Sequence, residues 1–142
     1  MERTKVYLDT DVILDVLLNR TEFVENSDPV LSLVDRYPIE LCVTGVSFAN
    51  LEYIGRKVMG KQSIKTALLD LSKLVTTISI DDAVVRKALQ SDMSDFEDTL
   101  QIFAAKAHKI TVVVTRNTKD YRKSGLEVLR PEQFTEKYYQ SN

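Results

Sequence analysis

The sequence predicts an α/β protein of three layers, in which helices cover both faces of a central, mostly parallel sheet of four or five strands. Two observations support this prediction. Short apolar stretches rich in β-branched residues alternate along the chain with longer stretches of helical periodicity, a pattern typical of parallel strands joined by helices. The 142 residues match one ordinary domain, and no repeat, low-complexity tract or linker divides them, so we expect residues 1–142 to form a single domain.

The first strand and the helices after it are placed by apolar periodicity and by capping residues. The stretch "KVYLDT" begins with alternating β-forming residues and reaches Asp9 at its carboxyl end. Asp9 or Thr10 can cap an apolar helix through "DVILDVLLNR", and a second helix ends before Pro38. The first strand therefore ends in an acid.

The middle of the chain repeats this order of strand and helices. "IELCVTGVS" predicts the second strand, and "SFANLEYIGRKVMG" predicts a helix with Ser47 as its N-cap and Gly60 as its stop. "KQSIKTALLDLSKL" has apolar residues at helical spacing, and "VTTISI" predicts the third strand.

The last third of the chain predicts two helices, two strands and a closing helix. "SIDDAVVRKALQSD" is a short helix capped by Ser79 or Asp81, and "SDFEDTLQIFAAKAHK" is a longer one capped by Ser94 or Asp95. "ITVVVT" is a buried strand, "LEVL" a short one, and the closing helix has Pro131 near its first turn.

Acidic and amide side chains follow the strands and open a helix at points that a parallel sheet brings to one edge. They are Asp9 and Asp11 after the first strand, Asp95 and Asp98 in the first turn of a helix, and Asn117 and Asp120 after "VVVT". The helix dipole favours acids in a first turn, which explains Asp95 as a cap and Asp98 only in part. Surface caps and loop acids are the alternative interpretation of this set.

The residue types present favour a metal bound by oxygen ligands. Several carboxylates in one pocket repel one another and must take up protons or share a cation. The chain has one cysteine, Cys42 in an apolar strand, and one histidine, His108 near a helix end. Oxygen ligands favour Mg²⁺ or Mn²⁺, which can hold a phosphate and lower the pKa of an attacking water. The set predicts phosphodiester hydrolysis.

Composition narrows the classes of partner and location. The formal net charge of −2 gives no overall basic excess of the kind typical of nucleic-acid-binding proteins. A local basic cluster is either a phosphate-contacting surface or a solvated helix face, and its members are Arg56, Lys57, Lys61 and Lys65. No apolar run is long enough to span a bilayer, and the start "MERTKVYL" lacks a signal segment, so we expect a cytoplasmic protein with no membrane partner.

Three blocks of the sequence, "YLDTDVILD", "DFEDTLQIFAAKA" and "VVVTRNTKDYRKSGLEVLRPEQF", resemble the PIN domain family, which includes the VapC-type ribonuclease toxins of bacterial toxin–antitoxin pairs. The resemblance extends over essentially the whole chain, and the last two blocks are its specific part. It implies a central parallel sheet and cleavage of RNA with Mg²⁺ or Mn²⁺. It also implies an antitoxin protein as a partner and a homodimer.

The resemblance implies roles for individual residues. Asp9, Asp98 and Asp120 correspond to the catalytic acids that hold the metal, and Asn117 forms a polar pair with Asp120 after the fourth strand. Thr115 corresponds to the threonine or serine that orients this pair.

Further residues have supporting places in this scheme. Asp11 occupies a position that is often Asn in the family, which implies an auxiliary role or a helix cap. Asp95 is an auxiliary ligand or simply the cap of its helix. Arg116, together with the basic cluster, is a candidate for steering RNA, and a solvated-face role is the alternative.

One position departs from the family. The family usually has a Glu in the helix after the second strand, where "SFANLEYIG" places Asn50, and Glu52 follows two residues later. Two residues apart in a helix is about 200° of rotation, so only one of these side chains can face the site. Either the helix is shifted to present Glu52 or an amide has replaced the carboxylate, and we expect Asn50 to face the site. The lost charge should weaken metal binding.

The leading hypothesis is therefore a Mg²⁺- or Mn²⁺-dependent endoribonuclease, the toxin of a toxin–antitoxin pair. The alternative is a catalytically weak RNA- or protein-binding module on the same fold, because Asn50 removes one carboxylate. A phosphatase-like phosphotransfer is a third possibility, which "DTD" matches superficially and which the absence of a Gly-rich phosphate loop disfavours.

Overall fold

Five strands form one sheet, and every neighbouring pair of strands is parallel. The structure is a computed structural model that describes residues 3–140. The strands are β1 Thr4–Leu8, β2 Ile39–Thr44, β3 Thr76–Ile78, β4 Val112–Val114 and β5 Glu127–Leu129. Their spatial order, β3-β2-β1-β4-β5, places β1 at the centre between β2 and β4.

Seven α-helices connect and cover the strands within residues 3–140. They are α1 Thr10–Leu17, α2 Val24–Ser32, α3 Gly45–Met59, α4 Lys61–Ser72, α5 Asp82–Gln90, α6 Phe96–Ala107 and α7 Pro131–Gln140. Two 3₁₀ turns, Leu33–Asp35 and Thr118–Tyr121, complete the helical elements. None of the helices in this part of the chain combines the length and the apolar character that crossing a bilayer requires.

The two faces of the sheet bury separate apolar cores, because successive strand residues point to opposite sides. In β1, Val6 and Leu8 belong to one core and Tyr7 to the other. The first core receives side chains from α1, α2, α3, α4 and α7, and the second receives them from α5 and α6. This arrangement confirms the predicted three-layer α/β fold and gives it five parallel strands.

The observed helix boundaries settle the alternative caps and correct one prediction. The acids that cap α1, α5 and α6 are Asp9, Asp81 and Asp95. Ser47 is not the N-cap of α3, as the sequence predicts, because the hydroxyl of Thr44 accepts the N–H of Ser47 at 3.4 Å. The hydroxyl of Ser47 in turn accepts the N–H of Thr44 at 3.3 Å. This reciprocal capping box starts α3 at Gly45, one turn earlier than expected.

The carboxyl ends of β1 and β4 lie side by side at the centre of the sheet. The N–H of Asp9 donates to the carbonyl of Val114 at 3.0 Å, and the N–H of Thr115 donates to the carbonyl of Leu129 at 2.9 Å. These bonds continue the sheet pairing by one residue beyond each strand. The first residues after β1 and β4 are therefore held by the sheet itself.

Replacing Gly55 with Ala should destabilise the protein, because a Cβ at this position of α3 would lie 2.7 Å from Cγ1 of Ile64. Ile64 of α4 is fully buried, so its side chain has no room to move aside. We expect the free energy of unfolding to fall by about 1–3 kcal/mol in urea denaturation. Gly45→Ala is the control on the same helix, since a Cβ there meets nothing within 4 Å. A Gly55→Ala protein as stable as the parent would contradict close packing of α3 against α4.

Candidate active site

Asp9 is a buried carboxylate that is held at both oxygens. Its Oδ1 accepts the N–H of Thr10 at 2.9 Å, and its Oδ2 accepts the hydroxyl of Thr115 at 2.7 Å. Only 7% of Asp9 is exposed. Burial raises the pKa of Asp9, the hydrogen bond from Thr115 opposes this rise, and the charge of Asp11 adds to it. A carboxylate in these surroundings is stabilised in its charged form by a nearby cation.

Thr115 connects Asp9 with the loop that follows β4. Besides donating to Asp9, its hydroxyl accepts the N–H of Asn117 at 2.9 Å. The side-chain amide of Asn117 donates to Oδ2 of Asp11 at 2.6 Å. In the 3₁₀ turn that follows, the N–H of Asp120 donates to the carbonyl of Asn117 at 3.0 Å. The loop is thus positioned relative to Asp9 by a continuous series of hydrogen bonds.

Asp98 reaches the same edge of the sheet from α6. Asp95 caps this helix by accepting the N–H of Asp98 at 2.9 Å. Burial, followed by the charges of Asp95, Asp9, Asp120 and Glu97, raises the pKa of Asp98 to about 7. Asp98 therefore lies close to carboxylates from the end of β1 and from the loop after β4, as well as from its own helix.

These side chains line one open cleft of about 260 Å³. The carboxylates of its lining are Asp9, Asp11, Glu97, Asp98 and Asp120. The other residues of the lining are Thr10, Asn50, Ile54, Gln101 and Asn117. Among the residues that the structure describes, no lysine or arginine belongs to this lining, so positive charge does not offset the carboxylates at close range.

Helix α3 presents Asn50, and not Glu52, to the cleft. The side-chain Nδ2 of Asn50 donates to Oε1 of Glu97, which lies on the facing helix α6. Glu52 instead pairs with Arg56 one turn further along α3, with 3.7 Å between Oε1 and Nε. The orientation of α3 therefore agrees with the helical spacing, which allows only one of these two side chains to face the site.

Asp95 and Thr115 lie beside the cleft lining and support it. Asp95 caps α6 and borders a small neighbouring cavity of about 40 Å³, which it shares with Asp98 and Asp120. Thr115 is fully buried and contacts the cleft through Asp9 and Asn117. Both side chains position acids of the cleft, the first through a helix cap and the second through a hydroxyl.

Arg116 points away from the cleft and binds Asp15, a fully buried acid on α1. Its Nε donates to Oδ2 of Asp15 at 2.8 Å and its Nη2 to Oδ1 at 3.1 Å. The guanidinium carbon also lies 3.7 Å from the ring centre of Phe23. The structure thus gives Arg116 a packing and pairing role, and steering of RNA by this residue stays a prediction.

The other basic residues predicted to steer RNA are exposed and lie outside the cleft lining. They are Arg56 and Lys57 on α3 and Lys61 at the start of α4. The Nζ of Lys57 lies 4.0 Å from the ring centre of Tyr53, and Arg56 lies 5.5 Å from it. These cations are therefore exposed to solvent, and Arg56 is also paired with Glu52.

Sequence reasoning missed Glu97, Gln101 and Asp15. Glu97 precedes Asp98 in "DFED", and this adjacency of two acids in a first helical turn was the available signal. Gln101 lines the cleft and accepts the buried hydroxyl of Tyr7 at 2.7 Å, a contact that only the fold creates. Asp15 stands inside the apolar stretch "DVILDVLL", where an acid requires a partner.

The cleft suits a hydrated divalent cation. Carboxylates are the hard oxygen ligands that Mg²⁺ and Mn²⁺ prefer. Burial and the charge of Asp9 raise the pKa of Tyr121, whose hydroxyl lies close to that carboxylate. The hydroxyl of Thr10, which belongs to the lining, is buried without a hydrogen-bond partner among the described residues. Unpaired buried hydroxyls are rare and indicate a missing water or ligand. Within residues 3–140, no three Asp, Glu, His or Cys side chains are arranged closely enough to hold a metal ion without rearrangement.

Comparison with known proteins identifies the family. Residues 5–119 match the family model described as PIN domain, which is most of the chain. This chain belongs to the PIN domain family. The matched region contains Asp9, Asn50, Asp98 and Asn117, and it ends one residue before Asp120. In the structure Asp120 lines the same cleft as the PIN residues that precede it.

Solved structures share the PIN fold. VapBC2 from Rickettsia felis, bound to a DNA fragment from its promoter, gives a TM-score of 0.69 at 18% identity over 89% of this chain and 98% of that chain. FitAcB from Neisseria gonorrhoeae gives a TM-score of 0.64 at 20% identity, over 89% of this chain and 97% of that chain. VapBC-1 from Haemophilus influenzae gives a TM-score of 0.66 at 15% identity, over 90% of this chain and 98% of that chain. No curated protein sequence matches the chain. At these identities the likeness shows the fold.

The raised pKa of Asp98 predicts that the metal-free protein loses stability as the pH rises toward and through about 7. The folded state holds this proton more tightly than the unfolded state, so the stabilisation is complete below the unfolded pKa and lost above the folded one. Asp98→Asn should flatten this part of the profile, measured by urea denaturation between pH 5 and 8 with a chelator present. Asp82→Asn, an exposed first-turn acid of α5, is the control. Equal pH slopes in the parent and in Asp98→Asn would contradict the prediction.

Arg116→Gln should destabilise the protein by about 2–3 kcal/mol, because it leaves the buried charge of Asp15 with fewer partners. Ser27 and Arg20 still contact Asp15, at 2.9 Å and 3.5 Å, which keeps the loss below that of a fully isolated charge. Thermal and urea unfolding measure the change. The matched control is Arg86→Gln, whose pair with Asp82 is exposed and contributes less than about 0.5 kcal/mol. Equal losses in the two variants would refute a structural role for Arg116.

Proposed function

We propose that this PIN domain is an endoribonuclease that requires Mg²⁺ or Mn²⁺ and hydrolyses phosphodiester bonds of RNA. The observation that carries the proposal is the meeting of Asp9, Asp98 and Asp120 in one cleft at the carboxyl edge of the sheet. A dense set of carboxylates in a lining whose described residues include no lysine or arginine suits a divalent cation. PIN domains are generally nucleases, which supports the same reaction class.

In the proposed site Asp9, Asp98 and Asp120 hold the cation directly or through water. When bound, the cation offsets charge on phosphate oxygens and lowers the pKa of an attacking water. Asn117 and Asn50 orient water molecules through their amides. Asp9 keeps a fixed orientation because hydrogen bonds from the backbone and from a threonine hydroxyl hold both of its oxygens.

We infer that the RNA backbone approaches the cleft along α3. Asn50, Ile54 and Lys57 are spaced i, i+4, i+7, so they share one face of this helix, and Asn50 and Ile54 line the cleft. Arg56 and Lys61 lie close to Lys57 in sequence and are exposed. Contacts of this kind with phosphates are electrostatic and weaken with salt. The exposed basic residues of α3 and the start of α4 are therefore better candidates for steering RNA than Arg116, which is bound to the buried Asp15.

We also propose that the chain is the toxin of a toxin–antitoxin pair and forms a homodimer. Solved structures with this fold include VapBC and FitAB complexes and a toxin–antitoxin complex from Klebsiella pneumoniae. Helices α3 and α4 expose apolar side chains, with Tyr53 at 53%, Val58 at 67% and Leu69 at 63% exposure. Exposed apolar residues that are grouped on one pair of helices are typical of a protein interface.

A catalytically weak RNA- or protein-binding module is the second candidate. The observation that favours it is Asn50, which puts a neutral amide where the family usually has a carboxylate. Calorimetric titration with Mn²⁺ separates the two functions. RNA binding that is independent of metal, together with no Mn²⁺ binding below the millimolar range, would favour the binding module.

Asp98→Asn should reduce cleavage of RNA by at least about 100-fold, because it removes a charged ligand while keeping the size of the side chain. Cleavage of a labelled RNA containing single-stranded and hairpin segments, in Mg²⁺ and in Mn²⁺, measures the effect. Asp82→Asn removes an acid from the first turn of another helix and should cleave like the parent. Cleavage by Asp98→Asn at the parent's rate would refute the assignment of the site.

A further inference from the structure

We propose that Glu97 supplies the carboxylate that α3 lacks, so that the cation site is completed from α6, and that Asn50 positions Glu97 for this purpose. The inference rests on the proposed function in one respect, since it requires that the cleft binds a divalent cation. It adds a ligand that the family resemblance does not assign, and it gives Asn50 a defined task.

Glu97 and Asn50 meet across the cleft although they are 47 residues apart in sequence. Asn50 lies on α3 and Glu97 in the first turn of α6, and both side chains belong to the lining that contains Asp9 and Asp98. The amide Nδ2 donates to Oε1 of the carboxylate. The oxygen Oε2 has no hydrogen-bond or ion-pair partner within residues 3–140, so it is available to a cation or to one of its water ligands.

The charge of Glu97 is not offset by a basic side chain of the described residues, unlike the charge of Asp82, which also lies in the first turn of a helix. Asp82 on α5 pairs with Arg86, with 2.9 Å between Oδ2 and Nη2. Glu97 has a neutral amide as its partner, and its charge contributes to the raised pKa of Asp98. A carboxylate that faces other carboxylates costs folding free energy, and a shared cation would remove that cost.

Positions 50 and 97 therefore accept one acid and one amide. A glutamate at position 50 would face the carboxylate of Glu97 within contact distance, and two carboxylates that close repel each other. An amide donates a hydrogen bond instead and leaves the second oxygen of the acid free. One carboxylate thus lies between α3 and α6 in either case. In this chain it comes from Glu97 on α6 and not from position 50 on α3.

Calorimetric titration of the metal-free protein with Mn²⁺ tests the proposal. Glu97→Gln should weaken Mn²⁺ binding by at least about 10-fold, the scale on which groups around a metal site act. The control is Glu132→Gln, because Glu132 also lies in the first turn of a helix, α7, and accepts an amide, from Asn26 at 3.3 Å. Glu132 is outside the cleft lining, so this variant should bind Mn²⁺ like the parent.

A double variant tests whether the acid can come from position 50 as well as from position 97. The double variant Asn50→Glu with Glu97→Gln returns the acid to α3 and should recover most of the affinity that Glu97→Gln loses. Thermal unfolding separates a ligand from a merely structural residue. If Glu97 is a ligand, the melting temperature of metal-free Glu97→Gln should equal or exceed that of the parent. Adding Mn²⁺ should then raise the melting temperature of the variant less than it raises that of the parent. A structural role predicts a lower melting temperature without metal.

The outcomes distinguish this proposal from the proposed function. If Glu97→Gln binds Mn²⁺ as tightly as the parent while Asp98→Asn does not, Glu97 is not a ligand and the ribonuclease proposal is untouched. If Glu97→Gln loses affinity and the parent cleaves no RNA, Glu97 holds the cation and the ribonuclease proposal fails. A parent protein that binds no Mn²⁺ would overturn both.

Discussion

The contact between Asp9 and the end of β4 is the interaction on which the candidate site depends. The N–H of Asp9 donates to the carbonyl of Val114, which continues the pairing of β1 with β4, and the hydroxyl of Thr115 donates to the Asp9 carboxylate. These contacts join residues about a hundred positions apart, because β1 and β4 are neighbours at the centre of the sheet. A shift of either segment would break sheet hydrogen bonds. The sheet thus sets the position of Asp9, and the loop after β4 is set by Asp9.

The carboxylates of the cleft differ from the buried carboxylate of Asp15 in having no basic side chain among the described residues of their lining. Asp15 is fully buried, yet Arg116 binds both of its oxygens. Asp9 and Asp98 have raised pKa values, and the described lining of their cleft contains no basic residue. In the charged form these two carboxylates oppose folding instead of supporting it. A chain that keeps such groups accepts a loss of stability, which a bound cation would reverse.

The fold was predictable because it follows from periodicity, while several contacts of the site depend on tertiary structure. Apolar alternation and helical spacing placed the strands along the chain, whereas their spatial order, β3-β2-β1-β4-β5, comes from the structure. The N-cap of α3 is Thr44 and not Ser47. The sequence did not distinguish them, because both hydroxyls take part in one capping box and either residue type can be an N-cap. The pairing of Arg116 with Asp15 spans 101 residues, and the contact of Asn50 with Glu97 spans 47. No local pattern encodes such pairs.

Three successive residues after β4 show how one short segment fixes the site from two sides. Thr115 contacts Asp9 and Asn117 contacts Asp11, whereas Arg116 between them contacts Asp15. Both helical acids lie on α1, four residues apart, which places them on one face of that helix. Helix α1 therefore binds two neighbouring residues of the loop with two acids one turn apart. The guanidinium lies away from the cleft, but its ion pair with α1 holds the loop that carries the amide and the last acid of the site.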